Sequence, residues 1–228
     1  MKEFSLILLS GGVGKRMQLN YPKQFLLLAG KPIFIHVLEK VDRLPEIKEI
    51  IITCPHDYMD LTEETITPYG FHTPIRLIEG GETRQESVYK GLLAAQYDDV
   101  IIHEAVRPFV TVEMFQRLIN EPVENAIFGL EIPFTVLKGR DKVEGNLKRE
   151  ELINVQLPHK FSKDRLLYAH ECAREENLQF TEDASLHFHY YKSDITVLKG
   201  SDHNIKITTP VDRKIAEAIY KETVLMTD

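Results

Sequence analysis

The sequence predicts one α/β domain, residues 1–228, built on a doubly wound, mostly parallel sheet from which a β-arm projects. Three near-continuous apolar runs, at 4–9, 47–54 and 99–103, are separated by segments in which apolar residues recur at helical spacing. Strands buried on both faces give continuous apolar runs, and their alternation with helices indicates parallel crossover connections. We therefore expect a Rossmann-like sheet with helices on both faces.

Local signals place several helices. A helix with proline at its start is predicted over 32–44. Thr83 and Glu86 have the spacing of a capping box, so a second helix should begin just after Gly80 and Gly81. Further helices are predicted at 163–176, after Thr181, whose hydroxyl would cap it, and from Pro210 onward. A late strand is predicted at 195–198.

The pattern changes between 131 and 156. Pro133, Gly139 and Gly145 punctuate a polar, charged stretch that contains short extended pieces. We interpret 133–157 as an inserted arm or hairpin that projects from the main body. Because such an arm has too little apolar surface to be stable alone, it should pack against a second subunit and form a homodimer.

Composition limits the classes of partner. Hydrophobic residues make up 43% of the chain and charged residues 28%, and no apolar run approaches the roughly 20 residues needed to span a membrane. The net charge of -7 argues against nonspecific nucleic-acid binding. Cys54 and Cys172 have no metal-like spacing and fit reduced thiols. We expect a soluble, cytoplasmic protein whose partner is a small molecule, with no nucleic-acid or membrane partner.

A glycine-rich loop follows the first apolar run. Gly11, Gly12 and Gly14 lack a Cβ, so their backbone N–H groups can approach phosphate oxygens closely, and Arg16 and Lys23 supply positive charge. A triphosphate is the natural ligand of such a loop.

Two commoner glycine loops fit less well. The phosphate loop of NTPases requires Ser or Thr after its lysine, but Arg16 follows Lys15. The dinucleotide fingerprint starting at Gly12 would place Met17 at its third glycine. The second glycine turn, at Gly80 and Gly81, lies beside a helix N-terminus and is suited to gripping the base and sugar of a nucleotide.

Four blocks occur in one order along the chain: residues 10–17 with Pro22-Lys-Gln-Phe25, then 80–88, 103–108 and 204–210. Together they resemble the 2-C-methyl-D-erythritol 4-phosphate cytidylyltransferase family, with ribitol 5-phosphate cytidylyltransferase as a near relative. The resemblance covers essentially the whole chain. It implies attack of a polyol phosphate on the α-phosphorus of CTP, release of pyrophosphate, and a requirement for Mg²⁺.

The resemblance also assigns roles to individual residues. It gives Arg16, Lys23 and Lys206 as the catalytic cations, and no general base is needed because a phosphate is already ionised at neutral pH. The nucleotide-binding positions are Ser10, Gly11, Gly12, Gly14, Gly81, Glu82, Arg84 and Ser87. The substrate-binding positions are Glu104, Arg107, Thr135, Arg149 and Thr181, with Glu104 also offered as a metal ligand and with Thr135 and Arg149 reaching the neighbouring subunit's site.

The chain departs from the family pattern on the acceptor side. Glu104 stands where Asp is usual, Leu157 and His159 replace Thr and Gln, and His203 replaces an acidic residue. These departures leave methylerythritol phosphate as the first acceptor, ribitol phosphate as the second, and a non-catalytic nucleotide-binding module as the alternative of another class. His187 and His189 would diverge on a helix, so we assign no zinc to them.

Overall fold

A computed structural model describes residues 2–11 and 22–225. Its strands are β1 (Phe4–Leu9), β2 (Leu27–Leu28), β3 (Lys31–Pro32), β4 (Ile47–Cys54), β5 (Ile75–Glu79), β6 (Asp99–Glu104), β7 (Ala126–Glu131), β8 (Leu137–Gly139), β9 (Val143–Asn146), β10 (Ile153–Ser162) and β11 (Thr196–Lys199). Seven of them form one sheet in the order β11-β7-β10-β6-β1-β4-β5. Within it β10 alone runs antiparallel to its neighbours β6 and β7. The predicted mostly parallel α/β sheet is confirmed.

Helices cover both faces of this sheet. They are α1 (Ile33–Val41), α2 (Met59–Ile66), α3 (Arg84–Ala94), α4 (Val112–Asn120), α5 (Lys163–Glu175), α6 (Asp183–Tyr191) and α7 (Pro210–Leu225). Alternate residues of β1 enter opposite layers of the core: Leu6 and Leu8 lie in the layer of α1 and α4, whereas Ile7 and Leu9 lie in the layer of α3, α5 and α6. Because both faces are apolar, the central strands read as unbroken hydrophobic runs.

The strand order creates a crevice between β1 and β6. The chain passes from β1 to β4 and β5 on one side, and then returns to β6 on the other side of β1. The register pairs Leu9 with Glu104, so the two strands end together. In an open α/β sheet, ligands bind at the carboxyl ends of strands where the order reverses in this way. The fold therefore places the segments after Leu9 and Glu104 at the expected ligand site.

Local caps decide where the helices begin. The Thr83 hydroxyl accepts a hydrogen bond from Glu86 N at the start of α3, as predicted. The predicted Thr181 cap of α6 is wrong, because the helix begins one residue later: Glu182 is the N-cap, and its carboxylate accepts from Asp183 N. Pro32 precedes α1 rather than lying inside it, since it belongs to the β2–β3 pair.

The segment predicted as an arm contains the two-stranded β8–β9 hairpin. Its last residues, 153–157, lie in β10, where 153–156 pair with β7 in the main sheet and Leu157 is buried. Cys54 and Cys172 are both free thiols. In the part of the chain that the structure describes, no helix is long and apolar enough to cross a membrane.

Candidate active site

A cavity of about 220 Å³ lies at the carboxyl ends of β1, β5 and β6. Its wall is formed by two glycine turns and by a segment near the C-terminus of the chain. Nine of the predicted site residues line it: Ser10, Gly11, Lys23, Gly81, Glu82, Arg84, Ser87, Glu104 and Lys206. The lining also includes Leu9, Gln24, Thr83 and Val106, which the sequence analysis did not select. Lys23 and Lys206 therefore share one cavity although 183 positions separate them.

Glu104 is the electrostatic centre of this cavity. Its Oε1 lies 2.6 Å from Lys206 Nζ and 3.8 Å from Arg84 Nε, and its Oε2 lies 3.1 Å from Arg107 Nε. Burial by itself would raise the pKa of Glu104, but the charges of Lys206, Arg107 and Arg84 outweigh burial and lower that pKa to about 2. The carboxylate is therefore ionised at neutral pH and holds three cations in place.

The backbone near Lys206 is fixed against the segment after β6. The Arg107 guanidinium donates to the carbonyl of Asn204 at 2.9 Å, and Ile207 N donates to the carbonyl of Val106 at 2.9 Å. The buried Asn204 amide donates to the carbonyl of Leu157 at 2.7 Å. These bonds explain why a cation so late in the sequence reaches the ends of β1 and β6.

The first glycine turn is held by Gln24. This buried side chain donates from Nε2 to the carbonyl of Ser10 at 2.7 Å. Ser10 itself is buried, and its Oγ has no hydrogen-bond partner among the described residues. A buried hydroxyl at the wall of a polar cavity is a group that a ligand can satisfy. Gly12, Gly14 and Arg16 lie outside the described residues.

Ser87 organises the second glycine turn. Its Oγ accepts from Gly81 N at 3.0 Å and donates to the carbonyl of Thr83 at 3.0 Å. A Cβ at Gly81 would lie 2.3 Å from the Glu86 side chain, so only glycine fits there without a shift. The carboxylate of Glu86 accepts from Glu82 N at 2.9 Å, which completes the turn.

Arg84 connects the cavity to a buried acidic pair. Its Nη2 lies 2.7 Å from Asp183 Oδ2 and 3.3 Å from Glu182 Oε1. Burial alone would lower the pKa of Arg84, but Asp183 and Glu182 raise it above its ordinary value. The sequence analysis did not select Glu182 or Asp183 as site residues. Nothing in their spacing indicates that they bind a side chain 98 and 99 positions earlier.

The remaining predicted residues lie elsewhere. Arg107 does not belong to the described lining of the cavity and reaches it only through Glu104. Thr135 and Thr181 are exposed. Arg149 lies beyond the β8–β9 hairpin, and its guanidinium contacts Glu150 and the carbonyl of Pro133. The roles that the resemblance implies for these four residues stay predictions.

Both oxygens of Glu104 are paired with Lys or Arg in this arrangement. The role as a metal ligand that the resemblance implies for Glu104 stays a prediction. Glu182, Asp183 and His159 come close enough together to share a metal ion. There, however, the Arg84 guanidinium already contacts both carboxylates, so a positive ion would be repelled.

Comparisons with known proteins find similarity along nearly the whole chain. A family model described as 2-C-methyl-D-erythritol 4-phosphate cytidylyltransferase matches residues 4–222. The chain is 34% identical over 227 residues to the chloroplastic enzyme of that name from Oryza sativa subsp. japonica, covering 97% of this chain and 75% of the relative. It is 32% identical over 220 residues to the Bacillus pumilus enzyme, covering 95% and 96% of the two chains. The crystal structure of 4-diphosphocytidyl-2C-methyl-D-erythritol synthase from Anaerococcus prevotii is similar, with a TM-score of 0.84, 29% identity and 96% of each chain covered.

The ion pairs of Glu104 predict a specific dependence of stability on pH. Because the folded pKa of Glu104 is about 2, below the ordinary value of 4.5, the stabilisation is present above about pH 4.5 and is lost as pH falls toward about 2. Glu104→Gln should lower the free energy of unfolding at neutral pH by about 3 kcal/mol and reduce its pH dependence in that interval. Urea unfolding at several pH values measures both effects. Glu171→Gln, on the exposed side of α5, is the control. A Glu104→Gln variant with the wild-type pH dependence would contradict the assignment.

Proposed function

This chain belongs to the 2-C-methyl-D-erythritol 4-phosphate cytidylyltransferase family, and we propose on that basis that it transfers the CMP group of CTP to 2-C-methyl-D-erythritol 4-phosphate. A phosphate oxygen of the acceptor forms a bond to the α-phosphorus of CTP. The bond from that phosphorus to the oxygen bridging it to the β-phosphorus breaks, and pyrophosphate leaves with the electron pair. No proton has to be removed, because the attacking phosphate is already an anion.

One observation carries this proposal: Lys23 and Lys206, from opposite ends of the chain, line the cavity that both glycine turns enter. Negative charge on the α-phosphate oxygens and the leaving group increases in the transition state. Fixed cations at the wall of a partly enclosed cavity stabilise that charge without reorganising at the moment of reaction. Arg16 is proposed as a third cation from its place in the first glycine loop.

The second glycine turn is suited to the nucleoside. In this proposal the backbone of Gly81 and Glu82 contacts the cytosine and its ribose, and Ser10 Oγ supplies a further polar contact. Small residues let the base approach the backbone, where donors and acceptors sit in fixed positions. Magnesium enters in this proposal as the CTP complex, where it would screen the triphosphate, since Glu104 is already occupied by cations.

The direct test is a product assay. We expect pyrophosphate when the protein is incubated with CTP, magnesium and 2-C-methyl-D-erythritol 4-phosphate, and much less with ribitol 5-phosphate or with no acceptor. Mass spectrometry of a reaction that contains both acceptors identifies the CDP-linked product. CDP-ribitol as the main product would replace the proposed acceptor. Binding of CTP with no pyrophosphate from either acceptor would establish a nucleotide-binding module instead.

The two lysines give a second test. Lys23→Ala and Lys206→Ala should each lower turnover by about 100-fold or more, because each removes a positive charge from the reacting phosphates. Lys214→Ala, on the exposed face of α7, is the control and should leave turnover unchanged. Thermal unfolding must show that each variant is folded at the assay temperature. A folded variant with normal turnover would remove that lysine from the mechanism.

We also propose that the protein is a homodimer joined through the arm. Three apolar side chains there are exposed in the single chain: Phe134 by 76%, Val143 by 71% and Leu137 by 50%. Apolar residues clustered on a small hairpin indicate a contact surface. The resemblance then assigns Thr135 and Arg149 to the acceptor phosphate of the neighbouring subunit. A cytoplasmic location stays a prediction.

The arm makes the oligomeric state testable. We expect the wild-type protein to sediment as a dimer at micromolar concentration, and Phe134→Asp to sediment as a monomer because a buried carboxylate opposes the contact. Turnover of Phe134→Asp should fall while its melting temperature stays near that of the wild type at low concentration. Val211→Asp, at an exposed apolar residue of α7, is the control. A monomeric wild-type protein with full activity would contradict the proposal.

A further inference from the structure

The segment 200–207 carries Lys206 from one edge of the sheet to the cavity. It follows β11, which is an edge strand, and Lys206 lies beside Glu104 at the end of β6. In the strand order β7 and β10 lie between β11 and β6, so the segment crosses both of them. It contains no helix or strand before α7 begins. The position of Lys206 therefore depends on the contacts that the segment makes with the strands it crosses.

Backbone hydrogen bonds hold the two ends of this segment. At its start, Gly200 N donates to the carbonyl of Gly129 in β7 at 2.9 Å. At its end, Ile207 N donates to the carbonyl of Val106, which follows β6, at 2.9 Å. Between these points the segment passes β10, and there the contacts are made by side chains.

The side-chain amide of Gln156 binds the segment at Ser201 through two hydrogen bonds. Its Nε2 donates to the Ser201 carbonyl at 2.9 Å, and its Oε1 accepts from Ser201 N at 3.0 Å. Only this orientation of the amide satisfies both backbone groups. Gln156 is 6% exposed, so water competes little for these bonds. The amide thus pairs with the backbone of Ser201 as a neighbouring strand would.

Gly200 leaves the space that the Gln156 amide occupies. A Cβ at Gly200 would lie 2.3 Å from Gln156 Oε1 and 3.3 Å from the carbonyl oxygen of Gly129. Any larger residue at this position would therefore push the amide away from Ser201. Two residues from separate parts of the chain thus form one contact.

The contact at Ser201 lies just before the residues that reach the cavity. The Ser201 carbonyl also accepts from Asn204 N at 3.0 Å, which closes a turn. Two residues after Asn204, the Lys206 ammonium pairs with Glu104. The Lys206 side chain is 36% exposed, so it is not held by packing alone. Gln156 therefore fixes the turn from which Lys206 extends.

We propose that Gln156 is a positioning residue for Lys206, which fixes the backbone at Ser201 and so holds the Lys206 ammonium where the reacting phosphates of CTP bind. This inference rests on the proposed function, because it gives Lys206 a place in the reaction. Gln156 is not among the described residues that line the cavity, so it acts through the segment. A displacement of about 1 Å at a reacting group can slow a reaction by about 100-fold.

The first experiment measures kcat and KM for cytidylyl transfer. Gln156→Met keeps the length of the side chain and removes both hydrogen bonds. We expect kcat to fall about tenfold, with the KM values for CTP and for the acceptor within about threefold of wild type, because Lys206 acts on the transition state. Gln116→Met, on the exposed face of α4, is the matched control and should keep the wild-type kcat.

A double-mutant cycle separates positioning from general damage to the fold. If Gln156 acts through Lys206, adding Gln156→Met to Lys206→Ala should change kcat by less than about twofold. A residue that supports only the fold would lower kcat about tenfold in both backgrounds. Gly200→Ala displaces the same amide by a second route, and its effect should depend on Lys206 in the same way. It decides the inference if Gln156→Met does not fold.

Hydrogen exchange gives a readout that does not depend on activity. Because Ser201 N is bonded to Gln156 Oε1, its amide should exchange about tenfold faster in Gln156→Met, while the amides of β1 keep their wild-type rates. Unchanged exchange at Ser201, an unchanged kcat, or a further tenfold loss in the Lys206→Ala background overturns the inference. A wild-type protein that forms no product overturns the proposed function instead, and exchange at Ser201 then decides alone whether Gln156 fixes the segment.

Discussion

A single buried carboxylate, that of Glu104, determines how the rest of the site is arranged. Its two oxygens contact Lys206, Arg107 and Arg84, which come from three separate parts of the chain. Like charges would separate without a counter-ion, and a buried carboxylate would be protonated without cations. The three cations therefore depend on the carboxylate of Glu104, and the ionised carboxylate depends on the cations. Because one carboxylate serves several cations, the cluster keeps a net positive charge, which is what a polyanionic nucleotide needs.

The fold supplies the place for this charge. β1 and β6 end at the same level, and the reversal of strand order between them leaves a crevice at that edge of the sheet. Two glycine turns enter the crevice, so backbone groups and fixed cations surround the same space. The chain as a whole is acidic, with a net charge of -7. Anion binding here depends on how a few charges are placed and not on the overall balance.

The sequence predicted most of what depends on local pattern. β1, β4 and β6 were predicted from their apolar runs, because burial on both faces of a strand gives a continuous apolar sequence. α3 was predicted from the cap at Thr83, because a helix cap involves residues only a few positions apart. β10 was partly assigned to the arm, because its first three residues are not buried. Its antiparallel pairing with β6 and β7 joins distant segments and leaves no local pattern in the sequence. The cavity residues after strand ends were predicted from motifs. The hydrogen bond from Gln24 to the backbone of Ser10 was not predicted. The ion pairs of Arg84 with Glu182 and Asp183 were not predicted either. Each contact joins separate segments of the chain, and no sequence spacing indicates it.

Arg84 links the cavity to the buried acidic pair behind it. Its guanidinium has carboxylates on two sides, Glu104 at the cavity and the Glu182–Asp183 pair behind it. Its location is therefore set by the difference between two attractions, and a change of one charge on either side shifts that balance. The acidic pair behind the cavity therefore helps to fix the position of the one cation that both groups of carboxylates share.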